Sequence, residues 1–464
     1  MRNAKWAAAL FTAAVVVLFG LAGCTGAETT PTANSMIESG PTQAPISIQT
    51  SPTPADPVPT PQPTVQPKEP EPAAAQPLES QAEDTLTLWY SEESRIYHWG
   101  DQSGSQQIYE AGGTVISMDT NPASRWLVME VLEDNRETAL WAVSKDGNDA
   151  RRLAGPAELA EASSEPSEYR IPASIWLSAD GEWVYFTTYR LDEMMVDSLD
   201  LLRINIDSGE IHEIIPPGKG GTIRFSPDGE QILLIHTNFL AVCNLDGSNY
   251  RVIHSYNTVS TYSEWPYYPL AAWSQDGQSI VLMLPHYDWM MAPEEPIRVW
   301  QVSLNGLPPV ELFSYQSLDP LRRVSGFSPD GRYLFYTRPL ESDPKSFEAR
   351  LVDLTTGEDR LVDVGGLAFQ GWSPDGNRFV FTNGTAKVIQ VGSTAKGDAP
   401  VTFEYGRFPG SFEWLDADSF VYMDGFEGST SLILQHLNGE SITVVDQSPE
   451  RIHYTPGYSV PPVE

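Results

Sequence analysis

Cysteine and basic residues are both scarce in this chain of 464 residues. Two cysteines cannot build a disulfide framework or a cysteine-rich zinc module. Lys and Arg number 28 against 62 Asp and Glu, so the formal net charge is −34. Because nucleic-acid phosphates are bound by clustered Lys and Arg, this composition excludes a nucleic-acid partner. Hydrophobic residues still make up 41% of the chain, which is enough for a sizeable globular core.

Sequence patterns for catalysis and metal binding are also missing. The seven histidines stand apart, without the close pair that a zinc site requires. There is no Gly-x-Ser-x-Gly nucleophile elbow. The acidic segment 145–149 lacks the ligand order of a calcium-binding loop and is interpreted as a turn. His286 with Asp288 is the polar pair that merits a test. We therefore predict no catalytic residue, no metal ligand and no cofactor, and a protein that is not an enzyme.

The first 23 residues have the pattern of a secretory signal. Arg2 and Lys5 precede an apolar run from Trp6 to Leu21, and small residues follow. The ending Leu21-Ala22-Gly23-Cys24 resembles the lipobox of bacterial lipoproteins. This resemblance implies cleavage before Cys24 and a diacylglyceryl group on its thiol. We expect a protein of the bacterial cell envelope, anchored through Cys24 and otherwise outside the cytoplasm. The alternative is an uncleaved anchor, although a span needs about 20 apolar residues.

Residues 24–84 form a segment rich in proline and threonine. Thirteen prolines stand between positions 25 and 84, with almost no large apolar side chains. Such a composition cannot bury enough surface to offset the entropy of ordering the chain. We therefore predict a disordered tether, with a proline-rich docking ligand as the alternative. Residues 85–464 remain as the folded domain, for which a monomer is favoured. Cys243, which follows an apolar run in this domain, is expected to be buried and inert.

A short motif recurs through residues 85–464 at intervals of 42 to 57 residues. Its clearest copies, at 225–229, 327–331 and 372–376, have the order aromatic-Ser-Pro-Asp-Gly. In a tight turn, Pro presets the backbone, Asp bonds to nearby backbone and Gly takes a positive φ. Alternating apolar segments flank the copies, so each is interpreted as a hairpin turn. The structural turn residues are Asp180, Gly181, Asp228, Gly229, Asp276, Gly277, Asp330, Gly331, Asp375 and Gly376.

These repeats resemble the WD40-like "PD40" repeats of TolB and of the propeller domain of the dipeptidyl peptidase IV group. The resemblance implies an all-β fold, a β-propeller of four-stranded antiparallel blades. Three strands are predicted before residue 110 and one after 450, so the last blade combines one C-terminal with three N-terminal strands. This arrangement favours eight blades, with seven as the alternative.

The strands of each blade, a to d, run from the central channel outward and alternate in direction. The a–b and c–d turns therefore lie on one side, which we call the short-turn face. The b–c loops and d–a crossovers lie on the other, the long-loop face. The long insertions at 157–172, 190–200, 255–269, 285–296 and 339–347 are all predicted for the long-loop face.

Aromatic residues and carboxylates are concentrated in these insertions. The predicted partner-binding residues are Tyr262, Trp265, Tyr267, Tyr287, Trp289, Glu294 and Glu295. Such side chains suit a basic protein or peptide partner, or a glycan stacked on the rings. The alternative is that the aromatic rings only pack on one another. We therefore predict a non-enzymatic binding or scaffold module for an envelope or secreted protein, with contact to the membrane only through the lipid. A carbohydrate-binding or carbohydrate-cleaving propeller is the alternative.

Overall fold

The recurring motif forms the same hairpin turn each time it appears in the structure. In the turn at 225–229, the Ser226 hydroxyl donates to Asp228 Oδ1 at 2.5 Å and accepts from the Gln231 N–H at 2.9 Å. Gly229 has a φ of +71°, a conformation that favours glycine. Because the hydroxyl connects the turn to the next strand, the motif fixes the register of the hairpin. The serines with these contacts are Ser178, Ser226, Ser274, Ser328 and Ser373.

The computed structural model describes residues 84–455, except 166, 168–169, 191–199, 264–265, 318–320, 322–324, 341 and 427. These residues belong to one compact unit, Ala82–Glu464. They form eight four-stranded antiparallel sheets, which confirms the predicted all-β propeller of eight blades. The innermost strands contact one another around the ring, as β4 (Gly113–Asp119) does with β8 (Arg170–Leu177), the first strand of the next blade.

The first four blades follow the chain in order. Blade 1 contains β4 (Gly113–Asp119), β5 (Trp126–Glu133), β6 (Thr138–Ser144) and β7 (Ala150–Ala154). Blade 2 contains β8 (Arg170–Leu177), β9 (Trp183–Arg190), β10 (Leu201–Asn205) and β11 (Ile211–Ile215). Blade 3 contains β12 (Thr222–Phe225), β13 (Gln231–Ile235), β14 (Phe239–Asn244) and β15 (Arg251–Ser255). Blade 4 contains β16 (Leu270–Trp273), β17 (Ser279–Leu284), β18 (Ile297–Ser303) and β19 (Val310–Tyr315).

The remaining blades complete the ring. Blade 5 contains β20 (Gly326–Phe327), β21 (Tyr333–Leu340), β22 (Asp343–Asp353) and β23 (Glu358–Gly365). Blade 6 contains β24 (Leu367–Trp372), β25 (Arg378–Asn383), β26 (Val388–Ser393) and β27 (Val401–Glu404). Blade 7 contains β28 (Pro409–Trp414), β29 (Ser419–Phe426), β30 (Ser429–His436) and β31 (Ser441–Ser448). Blade 8 contains β1 (Thr87–Glu92), β2 (Arg95–Gly100), β3 (Gly104–Glu110) and β32 (Ile452–Thr455).

Blade 8 closes the ring by joining the two ends of the described chain. The C-terminal strand β32 pairs antiparallel with β1, from Trp89 opposite Thr455 to Glu92 opposite Ile452. The predicted closure by one C-terminal and three N-terminal strands is therefore confirmed. Closure leaves no inner strand of this blade without a partner, which protects the sheet from pairing with other chains.

The hydrophobic core is divided into layers between neighbouring blades. In one layer, Val128 and Leu140 of blade 1 pack against Val184 and Phe186 of blade 2, and all four are buried. Similar layers follow around the ring. Each blade therefore depends on both neighbours to bury its two apolar faces. Cys243, buried in the layer between blades 2 and 3, agrees with the predicted inert thiol, because burial raises its pKa to about 12.

Arginines on the short-turn face connect successive blades. Arg151 of β7 donates to the carbonyl of Ile206 in blade 2 at 3.1 Å, and Arg203 of β10 to that of Leu245 in blade 3 at 3.1 Å. Arg251 of β15 reaches a carbonyl of blade 4 at 2.9 Å. In each case the guanidinium satisfies a carbonyl in the c–d turn of the following blade. These bonds could not be predicted from the sequence, because they join residues more than forty positions apart.

Two of the five predicted insertions differ from expectation. Segment 339–347 is largely an extended hairpin, because β21 and β22 continue to pair beyond the blade, with Pro339 opposite Phe347. Proline is tolerated there because it stands near the end of a strand, where a ladder N–H can be absent. Segment 157–172 contains most of a short helix, α1 (Pro156–Ala162), and the start of β8. Of the insertion at 190–200, residues 191–199 lie outside the described residues.

Candidate functional site

Two of the predicted loops meet on the long-loop face of blade 4. The crossover that enters β16 contains Ser260, whose N–H donates to the carbonyl of Tyr287 at 2.8 Å. The indole Nε1 of Trp289, in the loop between β17 and β18, donates back to the carbonyl of Ser260 at 2.9 Å. These two bonds fix the loops against each other. We call the side chains of Tyr262, Tyr287, Asp288, Trp289, Met290 and Met291 the loop surface.

Tyr262 is held in an unusual conformation at the centre of the loop surface. Its φ is +54°, a left-handed conformation that costs an L-residue roughly 1–2 kcal/mol. Its hydroxyl donates to Asp288 Oδ1, and this hydrogen bond raises the pKa of Tyr262. Its ring is nearly perpendicular to that of Trp289, with an interplanar angle of 82° and centroids 6.4 Å apart. Backbone strain of this kind persists only where surrounding contacts hold it, and it is concentrated at functional sites.

Four side chains of the loop surface are largely open to solvent. The exposed fractions are 78% for Met291, 54% for Tyr262, 53% for Met290 and 48% for Tyr287. A folded protein exposes single apolar residues often, but neighbouring large ones usually mark an interaction site. Methionine adapts its shape to different partners, and tyrosine offers a rigid amphipathic ring. The arrangement can therefore bind a partner through apolar and aromatic contacts.

The other predicted binding residues lie in different environments. Tyr267 is buried beneath the loops, with 8% of its surface exposed. Glu295 is paired with Arg298 at 2.7 Å, and the backbone carbonyl of Glu294 accepts from Gln316 at 2.8 Å. Trp265 lies outside the described residues, as do Cys24 and the predicted signal and tether up to residue 83. The structure thus brings Tyr262, Tyr287 and Trp289 together and leaves Tyr267 in the interior.

A second candidate site lies in the channel, near its short-turn end. One residue of each innermost strand pairs with the third residue of strand b, so these eight positions are equivalent around the ring. In blade order they are Asp119, Trp176, Arg224, Ala272, Gly326, Gly371, Glu413 and Thr455. The polar and aromatic members belong to adjacent blades 7, 8, 1, 2 and 3, and the small ones to blades 4 to 6. The channel is therefore chemically asymmetric.

The two acidic members of this set have perturbed ionisation. Burial within the ring raises the pKa of Asp119 to about 6, although the Leu177 N–H donates to its Oδ2 at 3.2 Å. Burial raises the pKa of Glu413 to about 7, and the charge of Asp119 adds to that rise. Protein surrounds Glu413, but its side chain remains exposed to the solvent of the channel. Carboxyls that exchange protons near neutral pH are suited to general acid–base chemistry.

Asp119 and Glu413 were not among the predicted site residues. The signal was present, because Asp119, Arg224 and Glu413 each stand immediately before a copy of the turn motif. However, the copies at 120–124 and 414–418 are degenerate, because neither keeps the Asp-Gly pair, and they gave little reason to align those positions. Only the strand register shows that they share one level of the channel.

The first described residues are fixed to the short-turn face. Asp84 accepts from the N–H groups of Gln102 and Ser103 at 2.7 and 2.9 Å. Asp101 in turn accepts from the N–H and hydroxyl of Thr85 at 2.8 and 2.7 Å. Residues 101–103 form the c–d turn of blade 8, so the chain enters the propeller on the side opposite the loop surface. We call this reciprocal pair of contacts the entry clasp.

The described part of the chain shows neither a cluster of metal ligands nor a helix able to span a membrane. Within it, no three His, Cys, Asp or Glu side chains are grouped to hold a metal ion. Between residues 84 and 455, outside the gaps, no helix combines the length and apolar character that crossing a bilayer demands.

Comparison with known proteins shows similarity in fold. No protein-family model and no curated protein sequence matches the chain. The crystal structure of a eukaryotic initiation factor is similar with a TM-score of 0.51 and 10% identity, over 81% of this chain and 99% of that one. TolB from Acinetobacter baumannii has a TM-score of 0.35 and 10% identity, over 79% and 81% of the two chains. The β-propeller domain of the Trilobed protease from Pyrococcus furiosus has a TM-score of 0.43 and 13% identity, over 60% and 86%. At these identities the likeness concerns the fold alone.

Proposed function

We propose that the protein is a binding or scaffold module, held outside the cytoplasm by a lipid on Cys24, which docks an envelope or secreted protein or peptide through the loop surface. The observation that carries this proposal is the set of exposed side chains Tyr262, Tyr287, Met290 and Met291 on two loops that are fixed to each other. Rigid loops displaying aromatic and methionine side chains are typical of protein interfaces.

Electrostatics support a partner with basic groups. The net charge of −34 attracts a basic protein over several ångströms and accelerates its encounter with the propeller. Asp288 and the exposed Glu294 lie in the same loop as the methionines and add negative charge beside them. The same net charge repels anionic lipid surfaces, so membrane attachment depends on the proposed acyl group.

The position of the entry clasp supports the choice of face. The tether would approach the propeller at Asp84, on the short-turn face, while the loop surface lies at the other end of the channel. A partner bound to the loop surface would therefore not compete with the tether for space.

A capture experiment tests the docking proposal. The purified full-length protein would be immobilised and exposed to an extract of envelope proteins. The variant has loop 285–296 replaced by a tight turn, and we expect it to lose the captured protein while its melting temperature stays nearly the same. The matched control is Leu307→Ser, because Leu307 is 65% exposed but belongs to a c–d turn on the short-turn face. Equal capture by the loop variant and the parent would refute the proposal.

The lipid anchor has its own test. Mass spectrometry of the N-terminal peptide from membrane-bound protein should show Cys24 as the first residue, carrying a diacylglyceryl group. Cys24→Ser should release the protein from the membrane fraction. A peptide that begins at Met1, with an unmodified Cys24, would instead support the uncleaved anchor.

The channel carboxyls favour a second candidate function, cleavage of a carbohydrate. Glycoside hydrolysis uses two carboxyl groups, one of which must hold a proton at working pH. Burial and the charge of Asp119 raise the pKa of Glu413 to about 7, so Glu413 would be the proton donor. Asp119 would be the second carboxylate. Trp176, at the next equivalent position after Asp119, packs in the layer between blades 2 and 3 but is only partly buried, and the open part of its ring would stack on a sugar. Loss of hydrolysis of a glycan panel in Glu413→Gln, with Glu294→Gln active, would support this function. If the parent protein cleaves no glycan, this candidate fails.

A further inference from the structure

We infer that the corner formed by Tyr262, Asp288 and Trp289 binds a single cationic side chain, lysine or arginine, of the docked partner. This inference rests on the proposed function and specifies the chemistry that the loop surface recognises. The corner has two aromatic rings at 82° to each other and the Asp288 carboxylate, which accepts the Tyr262 hydroxyl. A cation is attracted by aromatic faces and by a carboxylate, and an arrangement that supplies both is selective for positive charge.

The parts of the corner are held in place before any partner arrives. Trp289 is oriented by its bond to the carbonyl of Ser260 at 2.9 Å, and the Asp288 N–H donates to His286 Nδ1 at 3.3 Å. The carbonyl of Asp288 accepts from the N–H groups of Met291 and Ala292 at 3.2 and 3.1 Å, which closes a turn. Because these bonds fix the rings and the carboxylate, little conformational freedom is lost when a cation binds.

The protein uses the same chemistry within its own fold. Arg203 stacks on Trp183 at 4.4 Å, and Arg125 and Arg151 stack on Trp126 at 4.4 and 4.7 Å, all on the short-turn face. Among the described residues, no Lys or Arg stacks on Tyr262 or Trp289, and none forms an ion pair with Asp288. The corner therefore offers the kinds of aromatic and acidic groups that hold the protein's own arginines on the short-turn face.

The surrounding residues agree with a cationic side chain that belongs to a protein. Met290 and Met291 are exposed beside the corner, and their flexible apolar chains can cover the aliphatic stem of a lysine or arginine. Arg298, in strand β18 directly after this loop, is already paired with Glu295 and Glu311. It therefore does not compete for Asp288.

Binding of two peptides that differ only in charge tests the inference. Both would be twelve residues long; one carries two arginines and the other two citrullines, which are neutral and nearly isosteric. Affinities would be measured by calorimetry on the full-length protein in detergent micelles at physiological salt. We expect the arginine peptide to bind about tenfold more tightly, equivalent to roughly 1.4 kcal/mol. Trp289→Leu and Asp288→Asn should each reduce this ratio to less than about threefold.

The controls separate the corner from general attraction to an acidic protein. Phe408→Leu removes another exposed aromatic ring, 55% exposed and also on the long-loop face, and should leave the ratio unchanged. Trp289→Phe keeps an aromatic face and should retain most of the preference for the arginine peptide. An equal ratio in the parent protein and in Trp289→Leu would mean that net charge alone selects the arginine peptide, and this overturns the inference. A ratio near one between the two peptide affinities of the parent protein would overturn the inference as well. In either case, capture of a partner that depends on loop 285–296 would leave the proposed function standing.

Discussion

Closure of the ring by β32 leads to a quantitative prediction. Ile452, the first residue of β32, is 4% exposed and packs with Leu88, Tyr90 and Val421 between blades 7 and 8. Replacing a buried isoleucine with alanine costs about 2–5 kcal/mol through lost burial and the cavity that remains. Domains are typically stable by about 5–15 kcal/mol, so Ile452→Ala should remove a large fraction of the total. Tyr454 adds a hydrogen bond from its hydroxyl to the carbonyl of Val421 at 3.3 Å.

Unfolding in guanidinium chloride, followed by tryptophan fluorescence, measures this change. Val252→Ala is the matched control, because it removes a similar side chain from strand β15, where Val252 is 50% exposed. We expect the control to change the unfolding free energy by no more than about 0.5 kcal/mol. If Ile452→Ala also changes it by less than that, β32 does not bear on the stability of the ring and the reasoning is wrong.

Deletion of β32 extends the same prediction. A chain that ends at Arg451 leaves β1 without its partner strand, so its N–H and C=O groups form an open edge. We expect this chain to aggregate during purification. A chain that ends at Thr455 keeps β32 and is the matched control. A soluble monomer that ends at Arg451 and unfolds in one cooperative transition would refute the role assigned to closure.

Three further predictions concern other parts of the ring. Asp119 and Glu413 hold protons to higher pH in the folded than in the unfolded state, because burial raises both pKa values. The free energy of unfolding should therefore fall as pH rises from about 4 to about 7, and it should fall less steeply in Glu413→Gln. Parallel curves of unfolding free energy against pH for the parent protein and this variant would contradict the prediction. Arg251→Met removes the exposed bond to blade 4, where water can take its place at the carbonyl, and should cost about 0.5–1.5 kcal/mol. An unchanged denaturation midpoint would exclude a stabilising role. Ser328→Ala removes the hydroxyl that bonds to Asp330 and to the next strand, and we expect its free energy of unfolding to fall by about 1 kcal/mol in the same assay. Equal stability of this variant and the parent protein would contradict the prediction.

The fold could be predicted from the sequence because its information is local. The motif around Asp228 and Gly229 needs only five consecutive residues to set a hairpin, and its repetition reveals the blades. Counting strands at both ends of the chain was then enough to predict closure through β32. Segment 339–347 was predicted as a loop insertion, but strand pairing continues past Pro339, a long-range contact that the local sequence does not show.

The candidate sites were predictable only in part, because they depend on contacts between distant segments. The composition of the loops pointed to Tyr262 and Trp289, but not to their perpendicular rings or to the bond from Tyr262 to Asp288. Tyr267 stands in the same loop as Tyr262 and is buried, a difference that aromatic composition cannot show. The charged pair in the channel depends on the register of two strands 294 positions apart, counted from Asp119 to Glu413.

The arginines that connect successive blades also affect how one copy of the protein meets another. Arg203 and Arg251 direct their guanidinium groups at backbone carbonyls of the next blade, and Arg151 bonds both to such a carbonyl and to Asp149 and Asp207. Over the whole chain, the 62 Asp and Glu residues outnumber the 28 Lys and Arg residues, so most carboxylates have no cation to balance them. Two copies that approach each other therefore repel over about the Debye length, roughly 8 Å at physiological ionic strength. Crowded on one surface, the propellers would space themselves like charged colloids, and added salt would let them pack more closely.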